Sequence, residues 1–240
     1  MTGTIEILDT TLRDGEQTSG VSFNDEEKLT LARILLEDLG VNRIEVASAR
    51  VSQGELSAFR KICSWAESAG RLEQVEALGF VDGGQSIRWI SESGGRVLNL
   101  LAKGSLKHVT TQLGKTPEQH WNDILRDVAL AHAAGLDVNI YLEDWSNGMK
   151  DSPEYVKSMV DALKDSGIRR FMLPDTLGVL SPEQTAEFVG GMVSEFPDLH
   201  FDFHGHNDYD LSVANSAAAV KAGARGVHTT VNGLGERTGN

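Results

Sequence analysis

The sequence predicts a closed (β/α)8 TIM barrel, and three observations carry that expectation. Short β-rich runs alternate with amphipathic helical stretches along the whole chain. No Pro/Ser linker, low-complexity tract or charge block interrupts them, so residues 1–240 read as one domain. The 240-residue length is close to what a single barrel of ordinary size uses.

Taken in order, the eight strands are expected at TIEIL, NRIEVA, EQVEALGF, RVLNLLA, DVNIYLE, IRRFMLP, LHFDFHG and GVHTTVN. Between the first two lies NDEEKLTLARILLEDLG, where Asn24 is placed to cap a helix and acids fill the first turn, as the helix dipole favours. Gly40 stops that helix. Two later helices, SPEYVKSMVDALKDSG and SPEQTAEFVGGMVSEF, open with Ser before a Pro at the first helical position. An open doubly wound sheet is the rival topology, and it would want a Gly-rich phosphate loop after the first strand. LDTTLRDGEQ offers a single glycine there. After GVHTTVN only GLGERTGN remains, so the chain reads as a barrel truncated before its eighth outer helix, with any C-terminal subdomain or regulatory domain outside residues 1–240.

Strand parity decides which side chains meet, because successive residues point to opposite faces. In LHFDFHGH, His200, Asp202, His204 and His206 share one face and Leu199, Phe201 and Phe203 the other. In DVNIYLE, Asn139, Tyr141 and Glu143 oppose Val138, Ile140 and Leu142; in GVHTTVN, His228, Thr230 and Asn232 fall together. The apolar sets are expected to pack against helices and the polar sets to point into the barrel, whose C-terminal mouth is where such folds build their sites.

Composition excludes several classes of function. A net charge of −13 opposes a polyanionic partner, so no nucleic acid is expected. No apolar run approaches bilayer-spanning length, and no export signal precedes the first strand, so neither a membrane association nor export is expected and a cytoplasmic location is. The single cysteine, Cys63, sits in the helical FRKICSWAES and reads as a packed thiol.

His204 and His206 project to one side, with Gly205 between them, within reach of one ion. Alone, such a pair fits a metal or two hydrogen-bonded core histidines equally well. The first strand-to-helix loop adds Asp14 and Glu16, and the first and seventh strands of an eight-strand ring are separated only by the eighth. One acid plus two histidines would leave coordination positions open, as catalytic sites do.

LDTTLRDGEQ at 8–17, HGHND at 204–208 and GLGERTGN at 233–240 together resemble the acetyl-CoA-dependent 2-keto acid condensing enzymes: the isopropylmalate, citramalate and homocitrate synthases. They belong to a superfamily of metal-dependent barrels that also holds hydroxymethylglutaryl-CoA lyase. IEVASARVSQGE, NLLAKGSLKH, NIYLEDWSNGMK and LPDTLGVLSPEQT are most similar to citramalate synthases and their close isopropylmalate-synthase relatives. The resemblance implies a Claisen-type condensation of acetyl-CoA with a 2-keto acid, as in isoleucine or leucine biosynthesis. It implies that Asp14, His204 and His206 bind a divalent metal (Mg, Mn or Zn), with Asn240 at or near its coordination sphere. It also implies that Arg13 sits beside the keto oxygen, that Glu143 adjoins the bound keto acid, and that Thr176 helps hold its carboxylate. A histidine from beyond the barrel and a homodimer of the longer protein are implied as well.

Each role has a structural alternative. Arg13 could pair with Asp9 or Glu16, Glu143 could anchor another side chain, and Thr176 could cap the helix that follows LGVLSP. His108, His120 and His132 show no convergent partners in the sequence and are assigned no chemistry. By parity Tyr141 lies one layer below Glu143, and by the resemblance Leu78 and Leu101 are the other walls. These three bulky groups suit the methyl of pyruvate better than the branched chain of 2-ketoisovalerate, unless they merely fill the core.

Overall fold

The computed structural model describes residues 4–240. Eight parallel strands close into a barrel in chain order: β1 Glu6–Asp9, β2 Arg43–Ser48, β3 Val75–Phe80, β4 Val97–Lys103, β5 Asp137–Glu143, β6 Arg170–Asp175, β7 Phe201–Gly205 and β8 Gly226–Thr229. Closure is made by β8, which pairs with β1 on one side and with β7 on the other. The helices are α1 Asp25–Arg33, α2 Gln53–Ser68, α3 Gln85–Glu92, α4 Leu106–Thr111, α5 Pro117–Ala133, α6 Trp145–Asp151, α7 Pro153–Leu163, α8 Pro182–Glu195 and α9 Ser212–Ala222. None among the described residues is long and apolar enough to cross a membrane.

Local chemistry accounts for the helix ends. Asn24 caps α1 in a reciprocal box with Glu27, and α1 runs on into a π-helical stretch, Ile34–Asp38. Ser181 and Gln184 make the same box at α8, ahead of Pro182. At α7 the expected serine cap is not formed. Ser152 has no capping bond because its hydroxyl donates back to the carbonyl of Gly148 at 3.3 Å, at the end of the preceding short helix.

Parity sorts the side chains into two layers. Val138, Ile140, Leu142, Phe201 and Phe203 join the apolar layer between strands and helices. Inside the barrel lies a small apolar group, Leu8, Leu78, Tyr141 and Met172, with Leu101 packed on it. Beneath that group the axis is filled by polar groups: Arg43 donates to Glu76 at 3.0 Å and to Asp202 at 2.6 Å, and Asn99 donates to Glu45 at 2.7 Å and Glu76 at 2.8 Å. Buried charges are sustained only when paired in this way. One parity expectation fails: β8 ends at Thr229, and Asn232 falls in the 3₁₀ turn Val231–Gly233 at φ 57°, exposed and away from His228. No α-helix follows β8 among the described residues.

Candidate metal centre and substrate cavity

Three segments bring the acidic and imidazole donors together. After β1 the chain turns tightly, Asp14 N donating to Thr10 O at 2.8 Å, and this tucks the Asp14 carboxylate inward until it is fully buried. β7 delivers His204, and His206 follows from the strand's end. The 233–240 segment folds over the β1 loop. Gly235 N donates to Thr18 Oγ1 at 2.8 Å, and Thr18 Oγ1 donates back to Gly235 O at 3.0 Å. Gly239, at φ 96°, passes so close to Gly233 that a Cβ there would lie 1.9 Å from its carbonyl oxygen.

One ligand atom from each of Asp14, His204 and His206 lies within 4.8 Å of the others. The two Nε2 atoms face each other at 3.2 Å, and Asp14 Oδ2 is 3.7 Å from His204 Nε2. Burial, then the neighbouring His206, His228 and Arg13, hold the His204 imidazole well below its ordinary pKa; burial lowers His206 as well. Both rings are therefore neutral at pH 7, the form that binds cations. His206 Nδ1 is buried without a protein partner. Asn240 Nδ2 lies 3.3 Å from Asp14 Oδ2 and 3.0 and 3.3 Å from the two nitrogens of His204, so it sits across that ring, in line with neither. An anionic oxygen and two neutral imidazoles, all buried and convergent, fit a divalent cation.

Beside this cluster is a cavity of about 330 Å³. Eight of the ten residues singled out in the sequence line it: Arg13, Leu78, Leu101, Tyr141, Glu143, Thr176, His204 and His206. Asp14 lies just behind them, and Asn240 borders a separate cavity. A larger cavity of about 790 Å³ adjoins it and shares Glu143 and Thr176.

Of the structural alternatives weighed for three residues, those for Arg13 and Thr176 are not formed and that for Glu143 is. Arg13 pairs with neither Asp9 nor Glu16: its Nε donates to Glu45 Oε2 at 2.5 Å, while Glu16 is taken up by Lys28 and Asp9 by Thr11 N. Burial alone would weaken the Arg13 cation, but Glu45 and then Asp14 outweigh it and hold the guanidinium charged. Glu143 pairs with Lys103, its register partner on β4. Thr176 caps no helix; its hydroxyl accepts from Asp144 N at 2.9 Å and ties the β5 and β6 loops together.

His108 and His120 also have partners that the sequence did not show. His108 Nε2 is 3.3 Å from Asp144 Oδ2, and His120 Nε2 accepts Lys103 N at 3.1 Å. Glu45 and Lys103 are the site residues missed in the sequence. Their signal was parity: Glu45 shares the inward face of RIEVAS with Arg43, and Lys103 that of RVLNLLAK with Leu101.

The closed barrel with an acid and two histidines at its C-terminal mouth defines a TIM-barrel protein with a candidate divalent-metal centre. The chain belongs to the HMGL-like family, whose profile matches residues 4–240. It is 38% identical, over 98% of its length and 59% of the relative's, to a 2-isopropylmalate synthase of Sulfurisphaera tokodaii. It is 37% identical, over 98% of its length and 45% of the relative's, to a Methanopyrus kandleri protein with a provisional (R)-citramalate synthase name. The chain thus spans about half the length of the curated relatives it matches. The barrel superposes with a TM-score of 0.75 on the hydroxymethylglutaryl-CoA lyase of Pseudomonas aeruginosa, at 20% identity over 96% of this chain and 77% of the other.

Proposed function

We propose that this chain is the catalytic barrel of a 2-alkylmalate synthase, condensing acetyl-CoA with a 2-keto acid, and that pyruvate is the keto acid, giving citramalate. The observation that carries this reading is the convergence of Asp14, His204 and His206 beside Arg13 on a small cavity walled by Leu78, Leu101 and Tyr141. A divalent cation held by Asp14 and the two histidines, with Asn240 beside them, would supply Lewis-acid polarisation of the keto group.

The chain's own residues do the rest. Arg13, fixed by Glu45, presents a permanent positive charge to the oxygen on which negative charge grows as the acetyl-CoA enolate attacks C2. Glu143, on the border of the two cavities, is placed to take up or return a proton once Lys103 releases it. Thr176 lies where it can bind the keto acid's carboxylate through its hydroxyl. Hydrolysis of the thioester then frees CoA and makes the reaction one-way. The larger neighbouring cavity has the volume to receive part of the thioester.

A second reading, 2-ketoisovalerate giving 2-isopropylmalate, is favoured by the name of the Sulfurisphaera tokodaii relative. The experiment is release of free CoA from acetyl-CoA with each keto acid, using the longest natural form of the protein, which we propose is a homodimer, with Mg2+, Mn2+ or Zn2+ added. Faster kcat/KM with 2-ketoisovalerate overturns the pyruvate assignment, and no CoA release with any keto acid overturns the synthase reading.

A further inference from the structure

Beneath the reaction cavity, the barrel axis holds a set of contacts that the chemistry above does not use. His228 on β8 has Nε2 3.4 Å from Asp202 Oδ2 and Nδ1 3.0 Å from the Tyr141 hydroxyl. The same Nδ1 is 3.2 Å from Nδ1 of His204. All four side chains are buried. Asp202 is itself fixed by Arg43 at 2.6 Å and His200 at 2.8 Å. Its register partner is Gly226, where a Cβ would come within 2.2 Å of Asp202 Oδ1, so the carboxylate fills the space that a side chain on β8 would need.

Proton accounting along this line has one solution. A carboxylate only accepts, so its contact with His228 requires a proton on Nε2, and a neutral imidazole then has a bare lone pair on Nδ1. Two lone pairs repel at hydrogen-bond distance, so the proton between the rings sits on His204 Nδ1; the Asn240 amide, 3.0 and 3.3 Å from the two ring nitrogens, lies across the ring and is in line with neither lone pair. The Tyr141 hydroxyl converges on the same His228 lone pair. His204 is left with its lone pair on Nε2, the atom that faces His206 and Asp14, and without the ion the same rule puts the proton of the 3.2 Å contact between the two ligands on His206 Nε2.

We propose that His228 is a positioning residue for cation capture: held by Asp202, it fixes His204 in the Nδ1–H tautomer and aims the Nε2 lone pair at the ion. Histidine ligands usually donate their second ring N–H to a carboxylate or carbonyl; here an imidazole is interposed between ligand and carboxylate. The inference rests on reading Asp14, His204 and His206 as the ligands.

Two measurements test it. In the metal-free protein labelled with 15N-histidine, the His204 resonances, identified by their loss in H204A, should show a protonated Nδ1 and a bare Nε2. Mn2+ affinity, read from the EPR signal of the free ion, should weaken ~10–100-fold in H228L while the circular dichroism spectrum is unchanged. In H228Q, whose amide can donate to Asp202 and accept from His204, affinity should return to within about threefold of wild type. His204 protonated on Nε2 in the wild type, or a folded H228L that binds Mn2+ normally, overturns the role of His228. If H228L does not fold, the wild-type spectrum decides alone. Undiminished Mn2+ binding by H204A would instead overturn the ligand reading itself.

Discussion

Arg13 and Glu45, 32 positions apart, share a hydrogen bond of 2.5 Å from Nε to Oε2, and the other oxygen of that carboxylate accepts from Asn99 at 2.7 Å. The guanidinium is thus gripped on its inner edge while it lines the cavity. Two substitutions separate the grip from the charge. Arg13→Met should lower kcat ~10²–10³-fold, the usual cost of one donor to a developing oxyanion. Glu45→Gln keeps the shape and loses the charge, and should cost about 1.5–3 kcal/mol of transition-state stabilisation, the scale of a hydrogen bond to a charged group. Steady-state kinetics decide; a Glu45→Gln enzyme of wild-type kcat would show that Arg13 needs no such grip.

His204→Ala should lose the bound divalent ion while keeping the fold, because the side chain lies inside the barrel among polar neighbours and packs only edge-on against the Tyr141 ring. Elemental analysis of the purified variant should find no stoichiometric metal, with a thermal midpoint close to that of the metal-free wild type.

Leu101→Ala should shift the ratio of kcat/KM from pyruvate towards 2-ketoisovalerate by about 10–100-fold, since filling or vacating hydrocarbon volume in such pockets is worth about 1–3 kcal/mol. Leu101 is a cleaner probe than Tyr141, whose hydroxyl also contacts His228. An unchanged ratio would mean that Leu101 only fills the core.

Stability should decline on acidification through His120. This ring is buried and accepts Lys103 N, and burial, followed by the positive charge of Lys115, moves its pKa from 6.5 down to about 4. The unfolded chain therefore binds the proton first, and the stabilisation is complete above about pH 6.5 and is lost as pH falls towards about 4. About 3 kcal/mol is at stake. Denaturant titrations at pH 7 and 4.5 should show the loss, and His120→Gln should make it smaller.

Cys63 should stay unreactive in the native protein. Burial, with Glu67 adding to it, pushes its thiol up to about 12. A thiol reagent at pH 8 should label it only after unfolding.

The sequence by itself determined the barrel and most of the site. Strand alternation is a local property, so eight runs with apolar and polar faces could be read before any contact was known, and they placed His204, His206, Tyr141 and Glu143 inward. The motifs lie at the ends of β1, β7 and β8, and for that reason Asp14, His204 and His206 were legible as one cluster, to which the family resemblance added Asn240. Partner choice was not. Whether Arg13 turns to Glu16 or Glu45, or whether Glu143 meets Lys103, depends on the stagger of neighbouring strands, and a β-bulge shifts the register between β2 and β3 just past Glu45. The end of β8 at Thr229, which removed Asn232 from the inner face, is likewise set by the loop folding back over β1. Only the closed barrel decided that Asp202, His228 and His204 stand in line. Their contacts cross between β7 and β8, and no spacing within either strand encodes a distance across the pair.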